Sequence, residues 1–219
     1  SPLPYIVGFG VFSATEARSI HLAFALFLAF MAYPAFKRSP RDRVPLADWV
    51  LAAVAAFCGA YLFIFYADLA QRPGLPITQD IVVGVVGILM LLEATRRALG
   101  PPLMVVAAVF IAYSLFGPYM PGILAHRGVS LGGLINHQWL GTQGVFGIAL
   151  GVSTSFVFLF VLFGALLDKA GAGNYFIKVA FSLLGHFKGG PAKAAVVASG
   201  MTGLISGSSI ANTVTTGTF

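Results

Sequence analysis

Gly144-Val-Phe-Gly-Ile-Ala-Leu-Gly-Val-Ser-Thr-Ser-Phe-Val-Phe-Leu-Phe-Val-Leu-Phe-Gly-Ala-Leu-Leu167 contains no charged residue. A helix needs about 20 apolar residues to cross the roughly 30 Å hydrocarbon core of a bilayer, so this stretch reads as a membrane span. Four earlier stretches have comparable length: residues 19–36, 46–66, 77–99 and 101–120. The third is the weakest, with an unbroken apolar run only over residues 81–92. It spans if Glu93, Arg96 and Arg97 lie at the interface, and Glu93 and Arg97 stand i,i+4 with the acid first, the favourable order. The segments are too long for barrel strands and do not alternate apolar with polar residues. The fold class is therefore an all-α integral membrane protein of about five transmembrane helices.

Composition excludes the other classes. Of the 219 residues 58% are hydrophobic and 9% charged, where a soluble domain carries about 25% charged residues. So few charges cannot cover a soluble surface. Apolar content and 20 Phe rule out disorder, and the single Cys58 rules out a disulfide scaffold. The net charge of +6 does not point to nucleic acid, because the basic residues lie in small groups between apolar runs rather than on one folded face. The partner that the composition calls for is the lipid bilayer.

The basic residues also orient the chain. Lys37, Arg38, Arg41 and Arg43 follow the first span, Arg96 and Arg97 the third, and Lys169, Lys178, Lys188 and Lys193 the fifth. Only Arg18, Arg72 and Arg127 fall on the opposite side. The richer side is read as the cytoplasm. Residue 1 is then outside, and the Lys37–Arg43 loop and residues 168–193 are inside. A start at Ser1 rather than Met, and a pattern broken at Phe219, lead us to expect an internal piece of a longer protein with one span missing before Ser1.

After the fifth span, Asp168-Lys-Ala-Gly-Ala-Gly173 supplies turn glycines. Residues 174–187 are amphipathic, with Phe176, Ala180, Phe181, Leu184 and Phe187 at helical spacing and Lys178 and Ser182 on another face. This segment reads as a helix lying in the cytoplasmic interface. Residues 192–205 form a second helix, about 21 Å long at 1.5 Å per residue and too short to cross. It runs into Ser206-Gly-Ser-Ser-Ile-Ala-Asn-Thr-Val-Thr-Thr-Gly-Thr-Phe219. Small, hydroxyl and amide side chains at this density are unsuited to lipid. A backbone break at membrane depth survives only when buried in protein or lining a wet cavity, and two half-helices meeting at such a break are how secondary transporters build midplane sites.

Four stretches resemble the membrane component of a tripartite ATP-independent periplasmic (TRAP) transporter, most closely the TAXI subtype with fused small and large subunits. They are Leu92-Glu-Ala-Thr-Arg-Arg-Ala-Leu-Gly100, Phe163-Gly-Ala-Leu-Leu-Asp-Lys-Ala-Gly171, Gly189-Gly-Pro-Ala-Lys-Ala-Ala-Val-Val-Ala-Ser199 and Gly203-Leu-Ile-Ser-Gly-Ser-Ser-Ile-Ala-Asn-Thr-Val-Thr-Thr-Gly-Thr-Phe219. The last is the most specific and is similar to the start of the first re-entrant hairpin of the large subunit. The resemblance implies an inner-membrane, elevator-type symporter that imports small organic acids. It implies coupling to Na⁺, or H⁺ in its place, and delivery by a periplasmic substrate-binding protein. It places a scaffold-like small-subunit part at residues 1–99 and the first part of the transport region at residues 100–219. It assigns Ser206, Gly207, Ser208 and Asn212 to a cation site, with Ser209, Thr215 and Thr216 near the substrate carboxylate or the cation. In the family a second hairpin, beyond Phe219, completes both sites. No organic cofactor is implied.

Plainer readings stand beside these. The 206–219 segment also suits tight helix packing, as do the small-residue pairs Gly203/Gly207 and Gly147/Gly151. A nucleophilic serine in Gly203-Leu-Ile-Ser-Gly207 would need a base within reach, and His21, His126, His137 and His186 do not offer one, so the chain is read as no enzyme. Glu93 with Arg97 reads as an interfacial ion pair. Trp49, Trp139, Tyr61, Tyr66, Tyr113 and Tyr119 read as interface anchors, and the outer segment 129–140 as a short interfacial helix. A channel, or a scaffold subunit without transport of its own, are the competing functions.

Overall fold

The computed structural model describes residues 12–35 and 44–203. Among the described residues every regular element is helical, and the chain divides into two compact units, residues 1–151 and 152–219.

The first unit is built on α1 (Ala14–Ala32), α2 (Leu46–Ile64), the short α3 (Tyr66–Gln71), α4 (Thr78–Leu99), α5 (Pro101–Leu115) and α6 (Leu131–Ile135). Ser13 opens α1 with a capping box: its hydroxyl accepts from the Glu16 N–H at 3.2 Å, and its own N–H donates to Glu16 Oε2 at 2.6 Å. Leu22, Leu26 and Phe30, one turn apart, bury one stripe of α1 against Ala52, Ala55 and Leu62 of α2. Lipid tails are as apolar as Leu, so this burial alone gives little drive; close approach and hydrogen bonds hold such helices together. Both are present. A Cβ at Gly59 would lie 2.9 Å from Ala23 Cα, so only glycine allows the crossing. Ser19, fully buried there, donates to Gly59 O at 2.7 Å and accepts from the Phe63 N–H at 3.2 Å.

α4 meets the segment after α5 in the same way. Its buried stripe is Asp80, Gly84, Gly87 and Ala94. A Cβ on Gly84 would strike Ile135, and one on Gly87 would strike the indole of Trp139. The two glycines thus form a slot for these side chains. Trp139, on a π-helical turn (Asn136–Leu140) that extends α6, is fully buried and edge-on to Phe146 at 5.5 Å. The segment is helical over residues 131–140, but Trp139 is no interface anchor, because the slot swallows its ring. Tyr61 is corrected likewise: it is fully buried and donates to Asp80 Oδ1 at 2.6 Å. Trp49, Tyr66 and Tyr119 are exposed.

Gly100, at φ +91°, makes a one-residue joint between α4 and α5, and Pro101 opens α5 where a missing N–H costs nothing. α5 stops at Leu115 rather than Met120, ahead of Gly117-Pro118. His126 closes that end. Its Nδ1 accepts from the Gly128 N–H at 3.0 Å, so the proton is on Nε2, which donates to Tyr113 O at 3.0 Å.

The apolar stretch at residues 144–167 becomes helical only from Ile148: α7 (Ile148–Val152) runs through a π-helical turn (Ser153–Val157) into α8 (Phe158–Lys169). Gly144 and Gly147 lie in the preceding turn, where the Gly147 N–H bonds to Gly144 O at 3.0 Å. Gly147 and Gly151 are therefore no helix-packing pair. The missing Cβ of Gly151 instead admits the Arg18 guanidinium, which donates to Phe146 O at 2.9 Å.

In the second unit α9 (Ala172–Leu184) and α10 (Gly190–Gly203) form a hairpin. Ile177 and Ala180 pack on Ala194 and Ala198, with Phe181 and Leu184 beside them. Ile177 takes the core place that spacing gave to Phe176, and Phe187, past the helix end, is exposed. α10 has 14 residues, about 21 Å. The residues read as the start of a re-entrant hairpin, 206–219, lie outside the described residues, as do 36–43.

Among the described residues three helices are long and apolar enough to cross a membrane: Ala14–Ala32, Leu46–Ile64 and Ile148–Leu167. Of the other two expected spans, α4 is long enough at 22 residues but carries Asp80, Glu93, Arg96 and Arg97, and α5 has only 15 residues.

Gly87→Val should lower the denaturation midpoint in detergent, by the equivalent of about 1–3 kcal/mol for forced overpacking. Gly173→Ala, where a Cβ meets nothing within 4 Å, is the control and should leave it unchanged. Equal midpoints for Gly87→Val and the unmodified protein would exclude the slot.

Candidate functional site

Two charged clusters close the ends of the α1–α2–α4 bundle. At one end Arg97, 2% exposed, sends Nη1 to Asp48 Oδ1 and Nε to Glu93 Oε1, both at 2.8 Å. Its guanidinium also lies 4.7 Å from the Phe30 ring centre, a cation–π contact. Arg96 grips Glu93 with two donors at 2.7 Å and reaches Ala35 O at 3.1 Å. The fork of each arginine suits such bidentate contacts. The ends of α1, α2 and α4 are thereby tied together. The Glu93–Arg97 pair read from spacing is present, and Asp48 and Arg96 join it.

At the other end Asp80 is fully buried and fully partnered. It accepts from Tyr61 Oη at 2.6 Å, from Arg72 at 2.7 and 3.2 Å, and from the Ile77 N–H at 3.0 Å. The sequence signal for Asp80 is its place three residues into a helix start, where a carboxylate can return to the preceding N–H. The pairings of Asp48 with Arg97 and of Arg72 with Asp80 went unread. In both clusters every acid is paired with an arginine. They are clamps.

The residues assigned to the cation and substrate, Ser206, Gly207, Ser208, Ser209, Asn212, Thr215 and Thr216, all lie outside the described residues. Leading toward them is α10, whose Gly190, Ala194 and Ala198 are buried. Thr202 Oγ1 bonds to Ala198 O at 2.7 Å. Among the described residues no three His, Cys, Asp or Glu side chains gather as a metal site, and His126 serves the end of α5.

Long apolar helices clamped by saturated ion pairs define an integral membrane protein. The family model for the DctM component of the tripartite ATP-independent periplasmic transporters matches residues 86–219. The chain belongs to that family and is a membrane component of such a transporter, which works with a periplasmic binding protein and small components. The match begins inside α4 and includes all of Ser206–Thr216. No curated protein and no solved structure matches the chain.

Arg97→Met leaves the Asp48 carboxylate, 7% exposed, without its cation, and should destabilise the bundle by about 3–5 kcal/mol. Asp48→Leu with Arg97→Met removes both charges and should restore most of that loss. Denaturation midpoints in detergent decide it: a single variant as stable as the parent would show that the pair holds nothing.

Proposed function

We propose that the chain is part of the permease of a TAXI-type TRAP carrier, driven by Na⁺, or by H⁺ in its place, and importing small organic acids handed over by its binding protein. The observation that carries this reading is the family match, which runs through the Gly-, Ser-, Asn- and Thr-rich 206–219 segment. In this reading five helices span the inner membrane. The Lys37–Arg43 loop, the Arg97 clamp and residues 168–193 face the cytoplasm, and residue 1 lies outside. Residues 1–99 act as the scaffold. Residues 100–219 open the transport region, which moves by an elevator step and ends in the first re-entrant hairpin.

Chemistry favours this use of the segment. Na⁺ is a hard cation that takes oxygen ligands, and freed carbonyls at a broken helix supply them. Ser206, Gly207, Ser208 and Asn212 would hold the cation. Ser209, Thr215 and Thr216 would meet the substrate carboxylate beside the positive end of a half-helix. A channel would need none of this, and the transporter family gives it no support.

Uptake into proteoliposomes by the assembled transporter should require both an inward Na⁺ gradient and the binding protein. Passive flux without either would sink the carrier reading. Asn212→Ala removes one ligand and should raise the Na⁺ concentration for half-maximal uptake by roughly tenfold, the equivalent of about 1.4 kcal/mol. An unchanged Na⁺ dependence would remove Asn212 from the site.

A further inference from the structure

The α9–α10 hairpin spends its small side chains on itself. Ile177, Ala180, Ala194 and Ala198 are buried in the seam between the two helices, yet Tyr175, Leu183, Phe187 and Val196 remain 65%, 62%, 53% and 73% exposed. α9, at 13 residues, is too short to cross a bilayer, so its exposed groups are not a spanning surface. Lys178, Lys188 and Lys193 are all exposed on the same hairpin. No acidic residue occurs anywhere from Lys169 to Phe219, so the segment carries no compensating charge of its own. Apolar groups beside uncompensated lysines match one environment in particular, the boundary between acyl chains and acidic headgroups. There the rings and Leu183 sink, while the lysine stems lie along the apolar layer and lift their ammonium groups to phosphate.

We infer that the α9–α10 hairpin is a docking surface for acidic phospholipid, held by Lys178, Lys188 and Lys193. This rests on the transporter reading only for its side of the membrane. Each lysine at an anionic surface contributes roughly fivefold in affinity, and the attraction fades as salt screens it.

The test places the purified full chain in lipid discs of phosphatidylcholine containing phosphatidylglycerol. Selectivity of the boundary layer is read with spin-labelled versions of both lipids, at low and high salt. The parent should prefer phosphatidylglycerol and lose the preference in high salt. The variant with Lys178→Gln, Lys188→Gln and Lys193→Gln should lose most of it, and the corresponding triple Arg variant should keep it. Arg127→Gln, an exposed charge in the other unit, should change nothing. Equal selectivity in the parent and the triple Gln variant would overturn the proposal. So would loss of selectivity in the Arg variant. Discs offer both leaflets, so the outcome does not depend on which way the chain runs. Sidedness is read separately, by labelling Lys188 with an impermeant amine reagent in closed right-side-out vesicles. Labelling there would refute the cytoplasmic placement and leave the lipid result standing.

Discussion

Arg97 is charged, almost wholly buried and two residues from the end of its helix. Such a group is tolerable only if its partners are fixed in place, because a buried charge left alone costs several kcal/mol. Asp48 and Glu93 are those partners, one from a different helix and one from the preceding turn. Meeting both fixes the rotation of α4 about its axis and the height at which α2 begins. The same rotation turns Ala94, Gly87, Gly84 and Asp80 inward, since these lie on one stripe of the helix. Asp80 then finds Tyr61 and Arg72 at the far end. One seam therefore has an ionic clamp at each end and glycines between them.

The glycines matter because burial in lipid supplies so little. A soluble bundle could be held by its leucines; here contact distance and hydrogen bonds must do more. Gly59 lets α2 reach the backbone of α1, and the Ser19 hydroxyl enters the hydrogen-bond ladder between Gly59 and Phe63. Gly84 and Gly87 open the slot into which Ile135 and Trp139 fit. Small residues set how near the helices come, and the arginines set where along their length they meet.

What sequence could reveal follows from range. Glu93 and Arg97 are four residues apart on one helix, so spacing alone exposes their pairing. The period of α9 was legible for the same reason, and the glycines and Pro191 beyond it marked its end. Asp48 and Arg97 are 49 residues apart, and no local pattern joins them. Trp139 misleads because composition places tryptophan at interfaces, while its burial depends on two glycines more than fifty residues earlier. The end of α5 needed His126, which reaches back from the following loop to take Tyr113 O. The cation and substrate assignments came from resemblance alone, and their residues lie beyond those described.

The clamps also bear on where a coupling ion could go. Asp48, Asp80 and Glu93 are each taken up by arginine. A cation competing for Asp48 would have to displace the buried guanidinium of Arg97 from one of its two carboxylates, a costly exchange. These carboxylates hold helices, so in the proposed carrier ion binding would fall to neutral oxygens. Hydroxyls, amides and freed carbonyls bind a monovalent cation weakly enough to release it inside, which suits a site that must empty. The 206–216 stretch offers hydroxyl and amide side chains and contains no acid. In the proposed carrier, charge would fix the helices of the first unit and neutral polarity would bind the ion in a separate stretch of the chain.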